Sequence, residues 1–280
     1  MIIPALLLGR GGSTGFPGKN LHHVLGRPLM AYPLLAARGS RYVDELYIST
    51  DSDAIMEVGR QYGAQAIVRP AHLCTNAALG EDAFAHGYRT IRDQLAQQGR
   101  SIELLVLLFA NAATVTGALI DQGIEQLRSD ATLDSAVSVS RYNMWSPLRA
   151  RRLGQDDLLH PFVPLEMVGD QAALTCDRDS QGEVWFADMG VSVVRPRCLE
   201  HLEQGLLPQR WMGRRIAPIR SWGGCDVDYP WQLPGVEHWL LEHGYTPAAP
   251  EEPRDAALGP RPRQGSRGRQ PRERAPQATP

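Results

Sequence analysis

The chain has 280 residues, 43% of them hydrophobic, enough to bury a sizeable core in one large α/β domain or two small ones. Its formal charge of −2 provides no global basic field for nucleic acid, and no apolar run approaches the ~18 residues of a membrane span. The near-neutral total hides two unlike parts, since residues 247–280 carry net +3 and residues 1–246 carry net −5, with Lys19 the one lysine beside 28 arginines.

The opening MIIPALLLGR lacks a basic leader region and a cleavage site, so Ile2–Leu8 reads as a buried first strand. Pro28 suits the first position of a helix reaching about Ala37. Glu45–Ser49 is the next strand, and Asp51 or Ser52 caps a helix to Tyr62. Gln65–Val68 is a short strand. Glu81–Gln98 has helical spacing, with Phe84, Tyr88, Ile91 and Leu95 on one face. Ile102–Phe109 is continuously apolar, as a central parallel strand covered on both faces requires. Thr116 caps a helix to about Leu127, and Ser135–Ser140 alternates as another strand. Strands alternating with helices predict an α/β fold with a doubly wound, mostly parallel sheet.

Residues 141–220 are less regular. All six tryptophans fall between 145 and 239, which fits a lobe, a lid or a dimer surface there, although core packing is the favoured explanation. Gly190–Val194 is a strand, and Pro230 begins a last helix to about Glu242. Residues 247–280 hold eight prolines and seven arginines, so a disordered, dispensable tail is expected after a domain spanning 1–246. Cys74, Cys176, Cys198 and Cys225 form no C-x-x-C and no paired framework. Reduced thiols in a cytoplasmic protein are therefore expected, not disulfides or zinc.

The sharpest chemical signal follows the first strand, in Gly9-Arg10-Gly11-Gly12-Ser13-Thr14-Gly15-Phe16-Pro17-Gly18-Lys19-Asn20. Five glycines in ten positions let the backbone wrap a guest and aim N–H groups at it, and the bracketing Arg10 and Lys19 make that guest a polyphosphate. A Walker A loop fails because Ser13 and Asn20 stand where Gly and Ser/Thr are needed, and a dinucleotide fingerprint fails at Thr14. Asp226 and Asp228 form the second signal. At a spacing of two on an extended segment their carboxylates project together, as two hard oxygen ligands for Mg²⁺ bridging a triphosphate. The alternative is that Asp228 merely caps the helix begun by Pro230.

Through Arg10, the Gly11–Gly15 turn, Pro17, Lys19, Asn20 and the Gly26–Leu29 turn, the sequence resembles the acylneuraminate (CMP-sialic acid) cytidylyltransferases and their nonulosonate relatives. The resemblance continues through Ser49-Thr50-Asp51, Arg69-Pro70, Thr116-Gly117 and Asp226-Val227-Asp228, over about residues 2–244. It implies a GT-A-like nucleotidyltransferase fold and an enzyme joining CTP to a sugar acid with Mg²⁺, as a homodimer. Arg10, Gly11, Gly12, Ser13, Lys19, Asn20 and Arg69 would hold the nucleotide, with Arg10, Lys19 and Asp228 as the catalytic groups and Asp226 and Asp228 as the metal ligands.

Three departures from the family pattern bear on the site, the first removing charge near the phosphates and the other two remodelling the acceptor pocket. Thr14 replaces a second lysine, Phe109–Val115 replaces a polar Gln-Pro-Thr-Ser-Pro-x-Arg stretch, and Met189-Gly190 replaces an Asn-Gly pair that helps hold the sugar. Asn111, Arg149, Arg151 and Asp188 remain as the candidate acceptor contacts. Arg149 and Arg151 would share a face of an extended strand and clamp a carboxylate or phosphate, unless they form a solvated basic surface. The rival readings are transfer of a nucleotide to a sugar 1-phosphate, a glycosyltransferase using Asp-x-Asp, and a non-catalytic nucleotide-binding relative.

Overall fold

The computed structural model describes residues 1–75 and 77–248. The first half runs through β1 (Pro4–Leu8), the hairpin β2 (His23–Val24) and β3 (Arg27–Pro28), α1 (Ala31–Gly39), β4 (Glu45–Thr50), α2 (Asp53–Gln61), β5 (Gln65–Val68), α3 (Gly80–Ala96) and β6 (Leu105–Phe109). It continues through α4 (Gly117–Ser129), β7 (Ser135–Arg141), the hairpin β8 (Arg151–Leu153) and β9 (Leu159–Pro161), β10 (Trp185–Val194), α5 (Pro196–Glu200), β11 (Ile216–Ser221) and α6 (Leu233–Glu242). Seven strands form one sheet in the order β11-β7-β10-β6-β1-β4-β5. Neighbours are parallel except at β10, which runs antiparallel to both β6 and β7.

Successive side chains of a strand point to opposite faces, so a strand covered on both sides must be apolar at every position. In β1 and β6, Ala5, Leu7, Val106 and Leu108 enter the layer beneath α1, α2 and α4. Leu6, Leu8, Leu105 and Leu107 enter the layer beneath α3 and α5. This is the doubly wound sheet. The caps also fall where the residue types place them: Ser52 Oγ accepts from Ile55 N at 3.4 Å, and Thr116 Oγ1 accepts from Leu119 N at 3.3 Å.

Several details differ from expectation. Pro28 does not begin α1. Leu25 (φ 48°) and Gly26 (φ 78°) form a tight turn that pairs His23 with Pro28, and the helix starts three residues later. β11 escapes the sequence pattern because it is an edge strand carrying Pro218, and edges tolerate proline. β10 is twice as long as expected, and its register with β7 shifts between Ala187 and Ser192, around Met189 at φ 61°. Core packing explains only Trp211 and Trp239; Trp145, Trp185, Trp222 and Trp231 are exposed.

The chain runs from β1 to β4 and β5 on one side, then returns to β6 on the other side of β1. The loops leaving β1 and β6 therefore part and open a crevice at the carboxyl ends of the strands, the usual ligand position in such sheets. Near the C-terminus, Arg27 Nη1 donates to Thr246 O at 2.8 Å and Ala248 N donates to Leu25 O at 2.9 Å. Residues 246–248 thus brace the β2–β3 hairpin, and the boundary expected at 246 cuts through that brace. The tail from 249 lies outside the described residues. No helix among the described residues is long and apolar enough to cross a membrane.

Candidate active site

The glycine loop is pinned at both ends. Gly9 N donates to Ser49 O at 3.2 Å, Gly11 N to Asp51 Oδ1 at 2.9 Å, and Asn20 Nδ2 reaches back to Arg10 O at 3.1 Å. At Gly15 a Cβ would stand 2.9 Å from the carbonyl oxygen of Asp228, so only glycine lets the loop approach the carboxylate segment this closely. The loop walls a cleft of about 500 Å³ together with Arg69, Thr75, the start of α3 at Leu79–Gly80, Phe109 and Asn111.

Three cations line that cleft. Arg10 Nη1 donates to Thr75 O at 3.0 Å, and Lys19 forms an ion pair with Asp228. Arg69 is buried, and its hydrogen bonds go to oxygens of Ser49 and Gly9 instead of a carboxylate. Burial pushes its guanidinium below the usual range, but an arginine stays charged in a protein. A buried cation bonded only to neutral oxygens leaves net positive potential for an anion. Asn20, only 7% exposed, lines the same cleft, and its buried Oδ1 has no hydrogen-bond partner.

Asp226 and Asp228 sit on the irregular segment 222–229, and much of its hydrogen bonding is to side chains of other elements. Trp239 Nε1 donates to Trp222 O at 2.8 Å, Ser140 Oγ accepts from Gly224 N at 3.0 Å, and Thr114 Oγ1 accepts from Cys225 N at 3.1 Å. Asn111 holds Val227 twice, through its own carbonyl oxygen (2.9 Å) and its Nδ2 (3.1 Å). Burial first, and then the charge of Asp228, hold the Asp226 carboxyl above the ordinary carboxylate range; Lys19 and Asn111 pull the other way. Val227 between them is fully buried in the core of α6.

Arg10, Gly12, Ser13, Lys19, Asn20, Arg69, Asn111 and Asp228 all line one cleft; Gly11, turned to Asp51, and Asp226, beside Asn111, are not lining residues. The expected clamp of Arg149 and Arg151 does not form. Arg149 lies in a turn before β8 and donates to Cys176 O at 2.6 Å, whereas Arg151 opens the strand and donates to Leu148 and Ala150 carbonyls. With only one of them on the strand they share no face, and neither lines the cleft. Asp188 is also not a lining residue: it is buried within β10, accepting from Ser138 Oγ, Ser140 Oγ (2.7 Å) and Gly190 N (3.1 Å). Through Ser140 it supports Gly224, behind the carboxylate segment. Sequence reasoning missed Thr75, Leu79–Gly80 and Tyr229 as lining residues, since none belongs to a motif.

A parallel-sheet crevice with a cationic glycine loop on one wall and the Asp228 carboxylate on the other defines a nucleotidyltransferase fold. Solved structures agree. The structure titled CMP:2-keto-3-deoxy-manno-octonic acid synthetase complexed with CTP aligns with TM-score 0.60 at 14% identity, covering 87% of this chain and all of that one. A 4-diphosphocytidyl-2C-methyl-D-erythritol synthase from Anaerococcus prevotii aligns with TM-score 0.56 at 12% identity, covering 86% and 96%. In sequence, the cytidylyltransferase family profile matches residues 1–86. The N-acylneuraminate cytidylyltransferase of Oncorhynchus mykiss is 26% identical over 87% of this chain and 51% of its own length. The pseudaminic acid cytidylyltransferase of Campylobacter jejuni is 32% identical over 45% of this chain and 51% of its own. The chain is similar to these cytidylyltransferases in sequence and in fold, and it spans about half the length of both sequence relatives.

Proposed function

We propose that this protein is a Mg²⁺-dependent cytidylyltransferase that transfers CMP from CTP to a nonulosonate-like sugar acid and releases pyrophosphate. The observation that carries this reading is the convergence of Arg10, Lys19 and Arg69 with Asp228 around one cleft at the carboxyl ends of the strands. The names of the relatives support CTP and a sugar acid as the substrates.

The donor set suits Mg²⁺. Among the described residues no group of three or more metal-ligating side chains occurs, so the protein would offer Asp226 and Asp228 and leave the remaining positions to phosphate oxygens and water, as Mg²⁺ prefers. Burial and then the charge of Asp228 raise the Asp226 carboxyl, and a cation bound beside it would favour its ionised form. Bound there, the metal would neutralise charge on the triphosphate. Arg10 and Lys19 would hold the phosphates, and the loop N–H groups would orient them for in-line attack. The acceptor hydroxyl oxygen forms a bond to the α-phosphorus as the bond to the pyrophosphate oxygen breaks, and the hydroxyl proton is released to water. Lys19 must first exchange Asp228 for a phosphate, a small cost because such a half-exposed pair is worth about 0–1 kcal/mol.

Pyrophosphate release is the test. CTP with a nonulosonic acid is expected to turn over, and UTP, GTP and ATP to fall far behind. Turnover only with a sugar 1-phosphate would shift the reading to that acceptor, and CTP binding without release in any arm would refute catalysis.

The same reading includes a homodimer. Met144, Trp145, Leu153, Leu159, Phe162 and Met167 are exposed on and beside the β8–β9 arm, an apolar surface of the kind that marks an interaction site. A second copy of the arm region would cover it. Light scattering is expected to give about twice the chain mass of 30.9 kDa, and a monomer at micromolar concentration would count against the dimer.

A further inference from the structure

Gln232 closes the short turn Pro230–Gln232 that leads into α6, and its side chain makes three hydrogen bonds. Its Oε1 accepts from Asp228 N at 2.7 Å and from Tyr229 N at 2.8 Å, while its Nε2 donates to the carbonyl oxygen of Asp226 at 3.2 Å. The Tyr229 bond is the capping contact that a glutamine at this helix position ordinarily makes. The other two lie outside capping. They tie the peptide groups of both carboxylate residues to one planar amide, whose acceptor and donor stand at a fixed separation. Only this amide orientation satisfies two N–H donors and one carbonyl acceptor together.

Val227, between the two aspartates, is held independently by Asn111 at both its N–H and its C=O. The three-residue span is therefore clamped by Asn111 at its middle and by Gln232 at its ends. An irregular segment without such a clamp would be free to change the spacing of its two carboxylates, because no ladder of backbone bonds fixes it.

We infer that Gln232 is the positioning residue of the carboxylate pair, setting the separation and orientation of Asp226 and Asp228 for a small divalent cation. This rests on reading those two residues as metal ligands. Mg²⁺ demands near-ideal octahedral geometry at short distances, whereas Ca²⁺ accepts irregular, longer coordination. Loss of the clamp should therefore change the preference between the two ions, an effect that a merely structural role would not produce.

The test uses the full chain with CTP and no acceptor, so that nothing turns over. Mn²⁺ binding is followed by electron paramagnetic resonance, and Mg²⁺ and Ca²⁺ by displacement of Mn²⁺. In Gln232→Met, of similar length and volume, the Mg²⁺ dissociation constant is expected to rise at least tenfold and that of Ca²⁺ less than threefold. CTP binding in EDTA should stay within twofold. Gln232→Glu keeps the accepting oxygen and the cap but cannot donate to Asp226 O. It is expected to melt like the unaltered protein yet retain the lowered Mg²⁺:Ca²⁺ preference, a ratio that added charge alone changes little.

Unchanged Mg²⁺ affinity in Gln232→Met, or equal losses of Mg²⁺, Ca²⁺ and CTP, would overturn the positioning role alone. If the unaltered protein with CTP retained no more Mn²⁺ than CTP by itself, the metal reading would fall, and this proposal with it.

Discussion

Lys19→Arg is expected to lower kcat/KM for CTP by two orders of magnitude or more while the melting temperature moves by less than about 2 °C. The lysine side chain is 12% exposed and ends against Asp228 inside the cleft. An ammonium on a thin stem acts there as a compact point charge with three rotatable donors, whereas a planar guanidinium is wider and directs its donors in a fixed fork. Charge is conserved in this exchange, so the loss would report shape and donor placement at the phosphates. Stability should hardly change, because the partner carboxylate is 54% exposed and the pair contributes little to folding. Steady-state kinetics beside a thermal melt decides the matter, and activity within threefold of the unaltered protein would remove Lys19 from the phosphate contacts.

Asp226→Asn is expected to abolish metal-dependent transfer, by about 10³-fold or more, and at the same time to make the protein more stable at pH 7 by ~1 kcal/mol. Burial and the neighbouring Asp228 raise the folded-state pKa of Asp226 above its unfolded value, so the folded state disfavours the ionised form. The carboxyl is harmless to folding at pH below its unfolded value. It becomes destabilising as pH rises through the window up to the raised folded value, and the penalty persists above it. Asparagine keeps the shape and removes that penalty. Urea unfolding at pH 3.5 and pH 7 should therefore show a difference between the two proteins that is larger at pH 7. An equal or lower stability of Asp226→Asn at pH 7 would contradict the assigned electrostatics, whatever its activity.

What the sequence revealed, and what it concealed, follows from how far apart the interacting residues lie. The buried runs of β1 and β6, the caps at Asp51 or Ser52 and at Thr116, and the glycine loop are local patterns of residues within a dozen positions, and each is legible in the sequence. Pro28 misled because the same residue suits a helix start and the end of a hairpin strand. Only the turn at Leu25-Gly26, which puts both residues at positive φ, decides between them. Arg149 and Arg151 misled for a related reason: alternation implies a shared face only if both residues are on the strand, and β8 begins at Arg151.

The supports of the carboxylate segment were illegible for a different reason. Ser140, Thr114 and Asn111 reach residues 84, 111 and 116 positions away, and a hydroxyl or amide that bonds across such distances leaves no periodic trace. Gln232 is only four residues from Asp228, yet it reads as ordinary helix-start chemistry until its contacts with both aspartates are seen. The pair Asp226-x-Asp228 was visible as chemistry; the scaffold that aims it was not.

A chain with a single lysine also carries a single ε-amine, and that amine lines the cleft. Isotopic methylation of amines would thus label this chain at two points, its N-terminus and Lys19. The second resonance would belong entirely to the cleft. Exchange of Asp228 for a triphosphate could then be followed in solution as the movement of one signal, with no engineered tag, no cysteine to block and no background from a lysine-rich surface.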